Sequence, residues 1–231
     1  MSELLDTDVG PLWYPSGDAA VTNHVKEYGS WEPEKGAVIR SLLKPGSNFI
    51  DVGAHVGYFS VMASEIVGKE GGVISIEPLV ENLTLLSRNL EARYNVLLMD
   101  GVAWDSMCEI DFYPSTVNSG DNRAFAHPEA GAPVKVRAWP IDLLGLKSLD
   151  LLKIDAQAAE QIVMRGAEQT IKRCRPDIIV EFWPEGLRDY GQDPFEVLKF
   201  YENLGYDFEV IGGEPLPMEN GYCDLLLRPR P

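Results

Sequence analysis

Apolar and polar residues follow one another along the chain in two alternating patterns. Short runs that are almost wholly apolar are typical of strands buried on both faces of a sheet. Longer stretches with an apolar residue at every third or fourth position are typical of helices that bury one face. The strand-like runs are 48–52, 73–76, 96–99, 149–154, 177–182, 206–211 and 224–227. The helical stretches are 34–43, 56–67, 79–94, 160–174 and 195–204.

This alternation of strands and helices predicts an α/β fold of the Rossmann-like type, with a mostly parallel central sheet flanked by helices. Residues 101–140 interrupt the alternation, and the segments 110–113 and 134–139 predict an inserted β segment. Because no repeat or long linker divides the rest, residues 34–231 are predicted to form one domain.

The first 33 residues differ in character and are predicted to form an N-terminal arm or lid (1–33). Pro11, Pro15 and Gly17 break the apolar positions there, so we expect irregular structure over residues 1–29. The arm can be a cover for the domain or a contact in a homodimer, and the pattern alone does not choose between them.

Composition narrows the range of partners. The 231 residues carry a net charge of -16, which disfavours binding to nucleic acid or to an anionic membrane. Cys108, Cys174 and Cys223 are widely spaced, so neither a disulfide framework nor a zinc site is indicated. The sequence has no signal-peptide pattern and no apolar run near the roughly 18 residues of a membrane helix. We therefore expect a cytoplasmic protein with a small-molecule partner.

The segment after the first domain strand carries the sharpest chemical signal. It reads Asp51-Val52-Gly53-Ala54-His55-Val56-Gly57, in which Gly53 permits a tight turn and Gly57 a close backbone approach. Dinucleotide-binding proteins use G-x-G-x-x-G here, whereas this spacing is G-x-x-x-G. Asp51 would repel a pyrophosphate but suits the ammonium group of a methionine moiety. The turn thus favours S-adenosylmethionine over a nicotinamide dinucleotide, although such turns also occur as plain structure.

The ends of the next two strands supply further candidate contacts. Glu77 ends the second strand and precedes Pro78, so its carboxylate can accept hydrogen bonds from both ribose hydroxyls of a cofactor. The alternative is that Glu77 is a solvated loop residue. The segment 101–103 follows the third strand, where a contact to adenine is expected because ligands lie outside the carboxyl ends of the strands.

With these motifs, the chain resembles the FkbM-type methyltransferase family. The resemblance covers residues 28–181 and rests on the segments 50–58, 76–78, 101–103 and 152–155. It implies a Rossmann-like methyltransferase fold and methyl transfer from S-adenosylmethionine, usually to a hydroxyl of a secondary metabolite or sugar. Ala158 departs from the family pattern, because members usually carry a Gly at that position.

The cofactor-binding candidates combine the motifs with the segment before the first domain helix. There Tyr28 can close over the cofactor and Glu32 can accept a hydrogen bond from its amine, or Glu32 can be a helix cap. The full set is Tyr28, Glu32, Asp51, Gly53, Ala54, His55, Gly57, Tyr58, Phe59, Glu77, Pro78, Asn82, Gly101, Val102, Ala103 and Asp155.

The catalytic candidates are Asp155, Glu181 and His127. A hydroxyl acceptor needs a base, and Asp155 and Glu181 each follow a predicted strand whose carboxyl end faces the cofactor. The two carboxylates can also hold a divalent metal, or they can be a helix cap and half of an ion pair. His127 lies in a polar loop that can reach an acceptor. The alternatives to O-methylation are N-methylation of a small molecule and cofactor binding without catalysis.

Overall fold

A seven-stranded sheet forms the centre of the molecule, and a smaller three-stranded sheet and a two-stranded ribbon lie beside it. The computed structural model describes residues 1–18 and 20–231. The strands are β1 (Ser2–Thr7), β2 (Gly10–Pro15), β3 (Asn48–Val52), β4 (Gly72–Glu77), β5 (Val96–Asp100), β6 (Val102–Ala103), β7 (Cys108–Phe112), β8 (Val134–Trp139), β9 (Leu151–Ile154), β10 (Asp177–Phe182), β11 (Tyr206–Val210) and β12 (Cys223–Pro229).

Helices connect most of these strands. They are α1 (Val21–Tyr28), α2 (Pro33–Leu42), α3 (Tyr58–Val67), α4 (Val80–Leu90), α5 (Glu160–Gly166), α6 (Glu168–Cys174), α7 (Pro184–Asp189) and α8 (Pro194–Asn203), with short 3-10 turns at Gly68–Glu70 and Ile141–Leu144. No helix within residues 1–18 and 20–231 is both long and apolar enough to cross a membrane.

The central sheet has the strand order β11-β12-β10-β9-β3-β4-β5. Neighbours pair in parallel from β10 to β5, and β12 runs antiparallel to both β10 and β11. The predicted mostly parallel, Rossmann-like sheet is therefore confirmed. Because parallel strands end at the same edge, the segments that follow β3, β4, β9 and β10 meet in one place.

The inner strands β3, β9 and β10 pack on both faces, which explains their continuous apolar runs in the sequence. Ile178 and Val180 of β10 contact one helical layer, and Ile179 between them contacts the other. The same alternation separates Ile50 from Phe49 in β3. A strand with only one buried face would instead alternate apolar and polar residues.

The expectation of irregular structure over residues 1–29 was wrong. β1 and β2 form an antiparallel hairpin, and α1 follows it. Leu12 and Tyr14 are buried at alternate positions of β2, so the apolar residues there have strand period. Pro11 and Pro15 are tolerated because a two-stranded ribbon has free edges on which a missing N–H breaks no hydrogen bond.

Two other predictions differ in detail from the structure. The stretch 160–174 is two helices rather than one, because the backbone leaves helical geometry at Ala167, which has a φ of −112° and a ψ of 5°. Gly166 before it lies so close to the carbonyl of Trp104 that a Cβ would come within 1.7 Å of the oxygen. The inserted segment was predicted to be β structure, and it is a three-stranded sheet of order β6-β8-β7. The six-residue helix α7 is too short to show a helical period and was missed.

Candidate active site

A cavity of about 390 Å³ opens at the carboxyl edge of the central sheet. Its walls come from the segments that follow β3, β4, β5, β9 and β10, together with the N-terminal hairpin and the loop 118–124. The predicted site residues in the lining are Glu32, Gly53, Ala54, His55, Tyr58, Phe59, Glu77, Pro78, Asn82, Gly101, Val102, Ala103, Asp155 and Glu181. The structure thus brings most of the candidates together.

The turn between β3 and α3 is held against its neighbours on two sides. The backbone N–H groups of Gly53 and Ala54 both donate to the carbonyl of Ile76, at 3.0 Å. Gly53 has a φ of +71°, and a Cβ on it would lie 2.1 Å from the carbonyl oxygen of Asp155. Gly57 has a φ of +94° and packs on Leu86, outside the cavity lining. Both glycines are therefore required by backbone geometry.

Replacing Gly53 by alanine should lower the free energy of unfolding by about 2–5 kcal/mol, because strain of a left-handed residue adds to a backbone clash. The matched control is Gly145→Ala, since Gly145 has a φ of +59° and open space around it. The control should lose only about 1–2 kcal/mol. Urea unfolding of both variants measures the difference. Equal losses would show that the approach of Gly53 to Asp155 carries no extra cost.

Asp51 lies behind the cavity wall, where a cofactor amine was expected to meet it. Its side chain is buried, and its two oxygens accept from the Lys153 ammonium at 3.0 Å and from the Ser60 hydroxyl at 2.7 Å. The register of β3 against β9 sets Asp51 directly beside Lys153. The carboxylate thus neutralises a buried lysine and fixes the start of α3, and it does not line the cavity.

Glu77 ends β4 with its side chain buried in the cavity wall. One oxygen accepts from the backbone N–H of His55 at 3.0 Å, and the other accepts from Leu79 N–H and the Asn82 amide, both at 3.1 Å. Burial raises the pKa of Glu77 to about 7 although these hydrogen bonds lower it. Glu77 therefore joins the cofactor turn to the start of α4 and keeps about one of its four lone-pair sites for a ligand.

His55 links three separate segments of the chain. Its Nε2 lies 2.7 Å from the Ser119 hydroxyl, which donates in turn to Asp18. Burial lowers the pKa of His55 to about 4, which favours a neutral ring. Because the Ser119 hydroxyl gives its one proton to Asp18, its oxygen is left to accept from the His55 Nε2–H. His55 thus ties the loop 118–124 and the end of the N-terminal hairpin to the cofactor turn.

A buried lysine that the sequence did not single out organises the acidic side of the site. The Lys35 ammonium lies 2.7 Å from Glu32, 2.9 Å from Asp224 and 3.6 Å from Asp155. Burial alone would lower the pKa of Lys35, but these carboxylates raise it well above its ordinary value. Glu32 lines the cavity as predicted, although one of its carboxylate oxygens already forms an ion pair with Lys35.

Asp155 and Glu181 are joined at the carboxyl ends of β9 and β10. The Gln157 amide donates to Asp155 at 2.9 Å and to Glu181 at 3.1 Å. Burial opposes ionisation of Asp155, yet Lys35 and Lys153 hold its pKa below the ordinary value. Burial, and then the charges of Asp155 and Glu160, raise the pKa of Glu181 well above the ordinary value. The pKa values of the two carboxyl groups are therefore shifted in opposite directions.

The turn after β9 has a strained backbone at Ala158. Gln157 and Ala158 have φ values of +49° and +72°, in the left-handed region that favours glycine. The Glu160 carboxylate accepts from Ala156 N–H at 2.9 Å and supports this strained turn from within. A glycine at position 158 would adopt the same backbone without strain.

Two candidates lie away from the cavity. Tyr28 is 62% exposed, and its ring packs against His24 instead of covering the cofactor turn. His127 also lies outside the lining, and its ring nitrogens are buried without a hydrogen-bond partner in residues 1–18 and 20–231. Within the same described residues, no group of three or more His, Cys, Asp or Glu is arranged to hold a metal.

The site contains residues that sequence patterns did not reveal. Lys35 and Tyr14 take part through contacts between segments far apart in the chain. A lysine in a Glu-Pro-Glu-Lys stretch carries no signal of burial. The only available hint at Tyr14 was the alternation of Leu12 and Tyr14, which the flanking prolines obscured.

The sequence model of the FkbM methyltransferase domain matches residues 51–208, which is more than half of the chain. The chain therefore belongs to the FkbM methyltransferase family. The matched segment runs from the cofactor turn to β11 and includes the strand ends that carry Glu77, Asp155 and Glu181. No curated protein sequence matches the chain significantly.

Solved structures share the fold at low sequence identity. The FkbM methyltransferase from Methylobacillus flagellatus KT matches with a TM-score of 0.55 and 13% identity over 83% of this chain. This chain spans 50% of the length of that protein. Aeropyrum pernix fibrillarin, solved with S-adenosyl-L-methionine bound, has a TM-score of 0.53 and 13% identity, covering 98% of this chain and 82% of its own.

A third neighbour is precorrin-6y C5,15-methyltransferase from Geobacter metallireducens GS-15. Its TM-score is 0.51 at 17% identity, covering 85% of this chain and 88% of that one. At such identities the likeness concerns the Rossmann-like fold alone, and acceptors are not transferable between these proteins.

Proposed function

We propose that this methyltransferase transfers a methyl group from S-adenosylmethionine to a hydroxyl of a small natural product or sugar, as in secondary metabolism. The observation that carries the proposal is the pair Asp155 and Glu181, joined by Gln157 in the same cavity as the cofactor turn. A base with a raised pKa beside a methyl donor suits an acceptor that must lose a proton.

The residues of the cavity fit this cofactor. The Glu77 carboxylate can accept from a ribose hydroxyl with the lone pair that its three hydrogen bonds leave, and the segment 101–103 and Pro78 can contact the adenine. Gly57 is the N-cap residue of α3, and no side chain within residues 1–18 and 20–231 caps this helix, so backbone N–H groups of its first turn remain for an anion. S-adenosylmethionine bound here supplies a methyl group on a sulfonium that carries its own activation.

Glu181 is the better candidate for the base, and Asp155 for an electrostatic role. Asp155 accepts from Gln157 at 2.9 Å and lies 3.6 Å from Lys35 and 3.9 Å from Lys153, and these two positive charges lower its pKa and its basicity. Glu181 has the raised pKa and one donor, Gln157, that positions it. In this arrangement Glu181 removes the hydroxyl proton while Asp155 keeps Gln157 and the two lysines in place.

The acceptor is proposed to be a small molecule, not nucleic acid or a membrane lipid, in a cytoplasmic enzyme. The net charge of -16 and the acidic residues Glu32, Asp155 and Glu181 at the cavity oppose polyanions. Trp183 and Tyr222 add aromatic surface near Glu181, on which a sugar ring or an apolar skeleton can pack. A homodimer stays a prediction.

The test of the proposal is calorimetric titration with S-adenosylhomocysteine, with NAD in parallel. Wild type should bind the nucleoside and not NAD. Glu77→Ala should weaken S-adenosylhomocysteine binding by about tenfold or more, because hydrogen bonds to a charged group are worth about 1.5–3 kcal/mol.

A matched variant separates this effect from a general loss of charge. Glu70→Ala removes a carboxylate whose side chain is 77% exposed and should leave the affinity unchanged. Thermal unfolding of both variants reports whether they fold. Binding of NAD, or no binding of S-adenosylhomocysteine by folded wild type, would overturn the proposed function.

A further inference from the structure

An arginine and an aspartate of the loop 118–124 form an ion pair in the cavity wall. Both Asp121 and Arg123 line the cavity, and their side chains are 16% and 11% exposed. The Arg123 guanidinium donates from Nε and from Nη2 to the two carboxylate oxygens of Asp121, each at 2.7 Å. Such a two-bond pair fixes both side chains in one orientation.

The backbone of Arg123 and one face of its guanidinium are held as well. Its N–H donates to the Tyr113 carbonyl at 3.2 Å, and its own carbonyl accepts from Tyr113 N–H at 2.8 Å. The guanidinium carbon lies 4.5 Å from the centroid of the Trp183 ring. That ring packs on Gly186, where a Cβ would come within 2.0 Å of it. Arg123 is therefore preorganised, and little of its side-chain freedom is left to lose when a ligand binds.

The pair contacts the part of the cavity in which an acceptor has to lie. Trp183 follows Glu181 by two residues at the end of β10, and both residues line the cavity. Arg123 packs on Trp183 and thus contacts the segment that carries the candidate base. An acceptor hydroxyl must reach this segment to lose its proton to Glu181.

The pair keeps both donors and lone pairs for a ligand. Among the residues that the structure describes, the Nη1 group of Arg123 has no hydrogen-bond partner, and it is not one of their buried unpaired atoms, so it reaches the open cavity. The Asp121 carboxylate has about four lone-pair sites, of which Arg123 takes two. A ligand can therefore accept from Nη1 and donate to Asp121 at the same place.

A hydroxyl is the group that fits this combination. An ether or a ketone cannot donate to Asp121, and an ammonium has no lone pair to accept from Nη1. A carboxylate would meet the charge of Asp121, with Asp155 and Glu181 in the same cavity. The hydroxyl that is methylated gives its proton to Glu181 and cannot also donate to Asp121. The hydroxyl bound by the pair must then be a further one on the same acceptor.

We propose that Asp121 and Arg123 bind a second hydroxyl of the acceptor, distinct from the one that is methylated, so that the acceptor is a polyol such as a sugar ring. The second hydroxyl accepts from Arg123 Nη1 and donates to Asp121. This assignment rests on the proposed function, because it takes the reacting hydroxyl to lie at Glu181. The pair then determines which acceptors bind and does not contribute to cofactor affinity.

Methyl-transfer kinetics with two kinds of acceptor test the assignment. The probes are methyl glycosides of common hexoses and pentoses, which carry several hydroxyls, and cyclohexanol, which carries one. For wild type, kcat/KM with the best glycoside should exceed that with cyclohexanol by about 100-fold or more, because the analogue leaves the pair without its hydroxyl.

Arg123→Met should raise KM for that glycoside about 10- to 100-fold and change kcat by less than about threefold, because the bond to the second hydroxyl is the same before and during methyl transfer. Its kcat/KM with cyclohexanol should stay within about threefold of wild type. Asp121→Asn keeps the shape of the aspartate and is the second variant, with a rise in KM of about tenfold expected.

Two controls separate acceptor binding from folding and from general loss of charge. Calorimetric titration with S-adenosylhomocysteine shows whether each variant folds, and its affinity should change by less than about twofold. Arg137→Met is the matched variant, because Arg137 also pairs with an aspartate, Asp100, but its side chain is 75% exposed and Arg137 lies outside the cavity lining. It should leave KM, kcat and cofactor affinity unchanged.

An unchanged KM in folded Arg123→Met and Asp121→Asn would overturn the assignment and leave the proposed function intact. Wild-type turnover of cyclohexanol as efficient as that of every glycoside would overturn it in the same way, as would absence of turnover with all glycosides by wild type that binds S-adenosylhomocysteine. Failure of wild type to bind S-adenosylhomocysteine would overturn the proposed function and this assignment with it.

Discussion

Replacing Lys35 by methionine is expected to lower the free energy of unfolding by about 3–5 kcal/mol, a large part of the stability of an ordinary domain. Methionine keeps the length and the apolar stem of the side chain but removes the charge. Glu32, Asp155 and Asp224 then face one another in a buried place without their shared cation. Urea unfolding at neutral pH, followed by circular dichroism, measures the loss.

The pH dependence of this loss has a definite sign. Lys35 helps to hold the pKa of Asp155 below its ordinary value, so the stability that the pair contributes is present at neutral pH and disappears as the pH falls through the pKa of folded Asp155. The difference between wild type and Lys35→Met should therefore shrink in acid. Lys69→Met is the control, because this lysine is 77% exposed and its loss should cost less than about 0.5 kcal/mol. A Lys35 loss as small as the control would contradict its role.

Replacing Glu181 by glutamine should lower kcat by about 10²- to 10⁴-fold, the usual contribution of a general base. Glutamine has the same shape and can still bond with Gln157, but it cannot take a proton. The measurement is formation of S-adenosylhomocysteine with a panel of sugars and small alcohols, with amines in parallel. Glu185→Gln makes the same chemical change on an exposed residue of α7 and should leave kcat unchanged.

The pH profile distinguishes a base from a positioning residue. Because the pKa of Glu181 is raised and only its ionised form accepts a proton, wild-type kcat should rise with pH through that pKa and then level off. Glu181→Gln should lack this rise. If the variant keeps more than about a tenth of the wild-type kcat, the proton is taken elsewhere, and loss of the rise in Asp155→Asn instead would assign it to Asp155.

Local sequence patterns predicted the parts of the fold that depend on local physics. The bounds of β3 and β10 were predicted as they occur, because runs buried on both faces are continuous and end at polar or Gly-containing turns. The cofactor turn was predicted from its glycines, whose backbone φ values and close contacts leave no other residue type room. Such signals are contained within a few neighbouring residues.

Partnerships between distant segments could not be predicted in the same way. Asp51 was expected to contact a ligand, but the register of β3 and β9 places it beside Lys153, with which it forms a buried ion pair. Tyr28 was expected over the cofactor, but α1 directs it to solvent. In each case the residue type was informative and the partner was decided by strand register or helix packing, which a single sequence does not contain.

The central sheet extends past the segment that defines the family. The matched residues 51–208 exclude β12, the strand between β10 and β11, and they exclude α2, which carries Lys35. A chain cut to those limits would expose the hydrogen-bonding edge of β10 and strip one wall from the cavity. The segment that the family model matches is thus smaller than the unit that folds, because a strand of the central sheet and the helix with the buried lysine lie outside it.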